Sequence, residues 1–338
     1  MRDLLSTILN WKKEDKSFAI ARVVSTWRSA PRHPGASMLV SEGLDVVGSV
    51  SGGCIEGSVI EAAAEVLQSG GSRLLDFGVD DEMAWSVGLS CGGQVQVLVE
   101  PWTHLENELA DESLIGLLKS NEPFVLATTL TNEPNQHILV REREGHSGLE
   151  KDVLQGALKA LSRRESVVVE SGNARTFFHV FASKARLLLV GGADITVKLL
   201  NLASSLEFET VVIDPRAVFA DVARFETQPD HLINKWPQEV MDDLELDENT
   251  FAVLLTHDPK IDDPAIHSLL KSPVAYIGAL GGSRTQDKRK ERLRNAGFSE
   301  AQLERIHGPV GLDIGAMSPS EIALSVIAEI VAVKNQRD

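Results

Sequence analysis

Apolar residues recur at Leu4, Leu5, Ile8 and Leu9, the spacing of one helix face, so residues 2–11 are predicted to be helical. The pattern then shortens. Phe18 to Trp27 is rich in apolar and β-branched residues and reads as a strand. Met38 to Val40 and Asp45 to Val50 read as a hairpin around Glu42-Gly43, Ile60 to Leu67 as a helix ending at Gly70-Gly71, and Arg73 to Phe77 as a short strand. Gln94 to Val99 alternates polar and apolar positions, the period of a half-buried strand. Leu105 to Lys119 and Gly148 to Arg164 have helical spacing. Between and after them, Phe124 to Leu130, His137 to Arg143, Val167 to Glu170 and Thr176 to Phe181 read as strands, with Asn132-Glu133-Pro134-Asn135 as a turn. Helix and strand mix here without a βαβ rhythm, which predicts one α+β domain over residues 1–182.

The rhythm changes at Ala185. Arg186 to Val190 is a continuous apolar run, the mark of a strand covered on both faces. Gly191-Gly192, a helix from Ile195 to Leu206 and a strand from Glu209 to Asp214 complete a βαβ unit. Further strands are predicted at Phe251 to Thr256 and Val274 to Gly278, and helices at Asp263 to Lys271, Gln286 to Ala296 and Ile322 to Val333. Ser318 and Glu321 have the spacing of a capping box for the last helix. The fold class is therefore α/β: an N-terminal α+β domain, then a Rossmann-like, doubly wound parallel-sheet domain over residues 185–338.

Composition narrows the classes. A net charge of −16 opposes binding to nucleic acid or anionic lipid. No apolar run approaches the roughly 20 residues of a membrane span. Two cysteines in 338 residues make no disulfide framework, which fits a reducing, cytoplasmic setting.

Candidate chemistry gathers at glycine-rich loops. Gly48-Ser-Val-Ser51-Gly52-Gly53-Cys54-Ile-Glu56-Gly57 joins a strand to a helix. A thiol near a helix N-terminus is a better nucleophile and metal ligand. The bland reading is a small, inert, buried cysteine. Cys91-Gly92-Gly93 repeats the pattern beside another strand, so the two cysteines would face one cavity if their strands pair. Arg28 to Gly35, with Arg32, is the most cationic loop of the first hundred residues.

In the second half the dinucleotide fingerprint is damaged. After the strand the chain reads Gly191-Gly192-Ala193-Asp194-Ile195-Thr196 instead of Gly-x-Gly-x-x-Gly. Ala193 adds a methyl group where a pyrophosphate passes, and Asp194 would repel it. Asp214 is placed to meet a ribose hydroxyl. Gly278, Gly281 and Gly282 with Ser283, Arg284 and Thr285 resemble an anion cradle, reinforced by Lys288, Arg289 and Lys290; a solvated basic helix face is the alternative. His307 and Asp313, in a further glycine-rich loop, form a candidate proton-handling pair; a purely structural loop is the alternative.

These motifs together resemble the XdhC/CoxI family, accessory proteins for xanthine dehydrogenase and related molybdenum hydroxylases. The resemblance is carried by Ser29-Ala30-Pro31-Arg32 with Pro34-Gly35-Ala36, by Gly48 to Gly57, and by Ser90 to Gly93. In the second half it is carried by Asp214-Pro215-Arg216, Tyr276 to Gly281 and His307 to Ala316. It implies a chaperone that binds molybdenum cofactor (molybdopterin), holds it during sulfuration and hands it to the apo-enzyme. Its partners would be a cysteine desulfurase, a molybdenum hydroxylase and a second copy in a homodimer. The implied cofactor-binding residues are Arg32, Ser51, Gly52, Gly53, Cys54, Glu56, Cys91, Gly92, Gly191, Gly192, Asp214, Gly281, Arg284, His307 and Asp313, with Cys54 and Cys91 as metal ligands. Glycine N–H groups and the Arg28/Arg32 loop would hold the cofactor's phosphate. The chain departs from the family at Gly191 to Asp194 and, with one arginine fewer, at Gly282 to Thr285. Both changes weaken the competing reading, an NAD(P)-dependent oxidoreductase. A third reading is a scaffold that only docks the hydroxylase.

Overall fold

A computed structural model describes residues 1–28, 31–78, 93–109, 111–130, 135–141, 151–171 and 174–335. The predicted Cys91-Gly92 site and most of the Asn132 to Asn135 turn lie outside them. The chain divides into two compact units, Met1–Ser183 and Lys184–Asp338.

The first unit begins with a single 3-10 turn, Arg2–Leu4, that runs into α1 (Leu5–Lys13). Then follow β1 (Phe18–Trp27), β2 (Ser37–Ser41), β3 (Val46–Gly48), α2 (Glu56–Ser69), β4 (Arg73–Phe77) and β5 (Gln94–Pro101). Helix α2 starts a turn earlier than its apolar spacing predicts. It stops where Gly70 adopts φ 71°, a left-handed cap that returns its N–H to the Val66 carbonyl. The helix predicted over Leu105 to Lys119 is described in two stretches, α3 (Trp102–Leu109) and α4 (Asp111–Lys119), with residue 110 between them outside the described residues. Leu105 and Leu109 share a core with Leu114, Leu117 and Leu118. The unit closes with β6 (Phe124–Thr129), β7 (His137–Arg141), α5 (Lys151–Arg163), β8 (Val167–Ser171) and β9 (Ala174–Phe181).

Among the described residues these strands form two antiparallel sheets, ordered β3-β2-β1-β5-β4 and β7-β6-β9-β8. Side chains alternate across β1. Ala19, Ala21 and Val23 pack under α2, while Phe18 and Ile20 face Phe124, Leu126 and Phe181 of the second sheet. Helix α5 covers that sheet's far side through Ala157, Ala160 and Leu161. Between the sheets lies a charge pair with both side chains fully buried: Arg22 Nη2 donates to Glu100 Oε1 at 2.5 Å.

The second unit carries β10 (Arg186–Val190), α6 (Asp194–Ser205), β11 (Glu209–Ile213), β12 (His231–Ile233), α7 (Pro237–Val240), β13 (Thr250–Leu254), α8 (Pro259–Lys271), β14 (Tyr276–Ala279), α9 (Ser283–Asn295), α10 (Glu300–Leu303), β15 (Ile306–His307) and α11 (Pro319–Asn335). The strands form one parallel sheet, ordered β12-β11-β10-β13-β14-β15. Leu187 and Leu189 face α6 and α11; Leu188 and Val190 face α8 and α9. Burial on both faces is what the unbroken apolar runs predicted. The edge strands β12 and β15 are short, and apolar periodicity gave no sign of them. No helix among the described residues is long and apolar enough to cross a membrane.

Candidate functional site

Strand direction sets the geometry of the first unit. β1 ends at Trp27; β2 and β5 run antiparallel to it and start at the same end; β3 and β4 finish there. The Arg28 to Ala36 loop, the Cys54 loop and the chain entering β5 therefore meet one end of one sheet. β3 and β5 do not pair, because β2 and β1 stand between them. At about 4.8 Å per strand their ends are about 14 Å apart. Arg32 is exposed on its loop, and the Arg28 guanidinium lies 4.1 Å from the Trp27 ring centroid.

Within the Cys54 loop, Gly52 and Gly53 adopt φ 80° and 121° and turn their N–H groups inward. Those groups bond the chain's own Glu56. Its carboxylate accepts from the N–H groups of Ser51 (2.9 Å), Gly52 (3.1 Å) and Gly53 (2.9 Å) and from the Ser49 and Ser51 hydroxyls (2.7 and 2.5 Å). This corrects the expectation that glycine N–H groups here wait for a cofactor phosphate. The nest is filled by the chain's own carboxylate. Burial pushes the Glu56 carboxyl up, but hydrogen bonds from Ser51, Ser49 and the backbone outweigh it and hold the group at about 2. A depressed carboxylate contributes stability above its unfolded value and loses it as pH falls through the folded one. Wild type is therefore expected to lose more stability than Glu56→Gln between pH 4.5 and about 2, measured by denaturant unfolding at each pH.

Cys54 sits just before Ile55, the N-cap of α2. Its N–H donates to Ser51 Oγ at 3.0 Å. Cys54 is free and partly exposed, and it packs against the apolar cluster under α2, as Ala36 and Phe77 also do. The residue is thus anchored against the core and is neither fully buried nor fully exposed.

In the second unit, Gly191, Gly192 and Asp214 do come together, but on one another. Gly192 N–H donates to Asp214 Oδ2 at 2.9 Å. Arg216 binds both oxygens of the same buried carboxylate, through Nε to Oδ1 (2.9 Å) and Nη2 to Oδ2 (2.8 Å). Burial raises the Asp214 pKa, and the Arg216 and Gly192 hydrogen bonds bring it below the ordinary value. The group predicted for a ribose hydroxyl is spent inside the protein. Asp194 meets Arg224 at 3.3 Å.

Gly281 adopts φ 122°, and its carbonyl accepts from Gln286 Nε2 at 2.9 Å. Arg284 is exposed in the first turn of α9. The basic helix face is partly internal: Arg289 is buried against Asp262 (3.3 Å), and Arg292 binds Asp263 (2.6 Å).

His307 does not pair with Asp313, which is exposed on its loop. Its Nδ1 meets Glu329 Oε1 at 3.0 Å. Glu329 also accepts from the Tyr276 hydroxyl and from Gly311 N–H (2.8 Å). Pairing and pattern missed Glu329, although it is the one charged residue between Ile322 and Val333. A lone charge in an apolar helix was the available signal. Burial, then the Glu329 hydrogen bond and charge, push the Tyr276 hydroxyl far above its ordinary value. Tyr276 is the sole tyrosine, so ultraviolet titration reads it alone. No tyrosinate signal is expected before alkaline unfolding, and Glu329→Ala should bring ionisation down toward pH 10.

Residues 187–330 match the sequence profile of the XdhC Rossmann domain, and residues 11–78 match that of the XdhC and CoxI family. The chain belongs to the XdhC and CoxI family. It is 29% identical over 334 residues to a probable xanthine dehydrogenase subunit of Bacillus subtilis (strain 168), covering 98% of this chain and 97% of that one. It is 25% identical over 319 residues to the molybdenum cofactor insertion chaperone PaoD of Escherichia coli (strain K12), covering 94% of this chain and 84% of PaoD. A crystal structure described as a xanthine dehydrogenase from Bacillus halodurans superposes with a TM-score of 0.79 at 25% identity, covering 100% of this chain and 96% of that one.

Proposed function

We propose that this XdhC/CoxI member is a carrier for molybdenum cofactor: it takes the cofactor as cargo, holds it while its terminal sulfur is installed, and delivers it to a xanthine dehydrogenase-type hydroxylase. The observation that carries the reading is Cys54, a free, partly exposed thiol on a loop locked by Glu56 at the convergent end of the five-stranded sheet. The names of two relatives matched over nearly the whole chain support it.

The donor set fits such a cargo better than a bare ion. Among the described residues no three His, Cys, Asp or Glu side chains are placed to hold a metal. Molybdopterin brings its own pair of sulfur ligands, so the protein need add only one soft donor. Cys54 supplies that sulfur, and Arg32 offers its guanidinium to the phosphate. Cargo chemistry lies in the metal's sulfur ligand; the protein's part is to bind, orient and protect. A cysteine desulfurase would be the sulfur source, the cofactor-free hydroxylase the acceptor, and the carrier would work as a homodimer in the cytoplasm.

The parallel sheet of the second unit favours a second reading, an NAD(P)-dependent oxidoreductase. It meets an obstacle in Gly192 and Asp214, which satisfy each other. The test mixes cofactor-loaded protein with a cofactor-free xanthine dehydrogenase-type hydroxylase. The carrier reading expects hydroxylase activity to appear without NAD or NADP added to the transfer step. A thermal shift with NAD or NADP, and no transfer, would reverse the ranking.

A further inference from the structure

The convergent end of the first unit also holds a cavity of about 360 Å³ that no motif announced. Its size falls in the range of small-molecule sites. Strand register sets Trp27 on the same sheet face as Ser25, Asp76, Gln94 and Gln96, while Phe77 lines the cavity from the other face, in the apolar cluster under α2. Trp27 is 53% exposed, with the Arg28 guanidinium 4.1 Å from its ring centroid.

The polar groups are set in one orientation. Gln96 Oε1 accepts from Ser25 Oγ (2.9 Å) and from Arg175 Nη2 (2.9 Å). That fixes the amide, so Nε2 is turned to donate to Asp76 Oδ1. Asp76 Oδ2 has no partner among the described residues, and each carboxylate oxygen accepts more than one bond. On one sheet face the cavity thus offers the Trp27 indole and an exposed, oriented carboxylate with one oxygen open to N–H donors. Two of its lining residues, Phe77 and Val95, belong to the same apolar cluster that Cys54 packs against.

We infer that this cavity receives the pterin ring of the cargo, with Asp76 reading the amino-oxopyrimidine edge and Trp27 lying against the ring. The choice of ring rests on the carrier reading above. A pterin presents a ring N–H and an amino N–H side by side, the complement of a carboxylate. Lumazine, which has a carbonyl in place of the amino group, would set an oxygen against Asp76. Guanine shares the pterin edge on a different ring, so it is the competitor to separate.

The test titrates the full-length protein with free pterin, lumazine and guanosine, following ligand or tryptophan fluorescence. Wild type is expected to bind pterin about tenfold or more tightly than lumazine, the discrimination of one bidentate pair. Asp76→Asn should remove that preference, because the amide offers one acceptor and one donor. Its melting temperature should stay at the wild-type value, since the Asn carbonyl can still accept from Gln96. Trp27→Ala should weaken pterin and lumazine alike and leave their ratio unchanged. Equal binding of pterin and lumazine by wild type, a preference that survives Asp76→Asn, or tighter binding of guanosine than pterin overturns the inference. Intact cofactor retained by a protein indifferent to pterin sinks the cavity assignment and spares the carrier. Selective pterin binding by a protein that retains no cofactor does the reverse.

Discussion

Arg22→Met is expected to lower folding stability by about 3–5 kcal/mol, the usual result of stripping one partner from a buried ion pair. Arg22 and Glu100 are both fully buried between the two sheets of the first unit. Glu100 feels burial pushing its pKa up. The Arg22 charge, with His137 and Asn135 hydrogen bonds, overcomes that and holds the carboxyl at about 2. Thr128 Oγ1 accepts from Arg22 Nη2 (3.1 Å) and lies 3.1 Å from His137 Nδ1, while His137 Nε2 stands 3.2 Å from Glu100. Methionine fills the space of the arginine stem but leaves the buried carboxylate without its cation, with only His137 and Asn135 beside it. The double variant Arg22→Met/Glu100→Leu should recover part of the loss, because no unpaired charge remains although Asn135 and His137 lose their acceptor. Urea unfolding at pH 7 compares the three proteins. A single-variant loss below about 1 kcal/mol would place the pair among exposed ion pairs in its worth, against its burial.

Gly192→Ala is the second large effect. A Cβ built on Gly192 would stand 2.0 Å from the Phe219 carbonyl oxygen and 3.0 Å from its carbon. The obstacle is backbone, and it cannot swing away as a side chain can. The segment after β11 would have to move, and it carries the Arg216 contacts to Asp214 and the 4.1 Å stack of Arg216 on Phe219. Overpacking of this kind costs about 1–3 kcal/mol, with the loss of the Gly192–Asp214 bond in addition. Gly52→Ala is the informative control for crowding: nothing lies within 4 Å of its added carbon, so only the φ of 80° opposes it. Thermal unfolding should rank Gly192→Ala well below Gly52→Ala. Equal midpoints would mean that the Phe219 carbonyl yields freely.

Periodicity made the two halves legible. The unbroken apolar run at Arg186 to Val190 and the alternation at Gln94 to Val99 each name a strand by the faces it buries. What stayed hidden is set by partners far along the chain. Glu100 and Arg22 are 78 residues apart, and Glu329 reaches His307 across 22. Spacing rules see neighbours within a helix or strand, so they paired His307 with the nearby Asp313. The glycine loops were legible as loops, but their contents were not. Gly52 and Gly53 signalled inward N–H groups, and only the fold says that Glu56 already fills them. The same holds at Gly192, where an internal carboxylate stands in the place read for a ligand.

The carrier reading turns on Cys54, and cofactor retention tests it most directly. Wild type and Cys54→Ala would be loaded with molybdenum cofactor, desalted, and assayed for bound molybdenum and pterin, with melting curves to confirm that both are folded. The account predicts that wild type keeps molybdenum and pterin in equal amounts and that Cys54→Ala keeps far less of both. A folded Cys54→Ala that retains as much as wild type would contradict it.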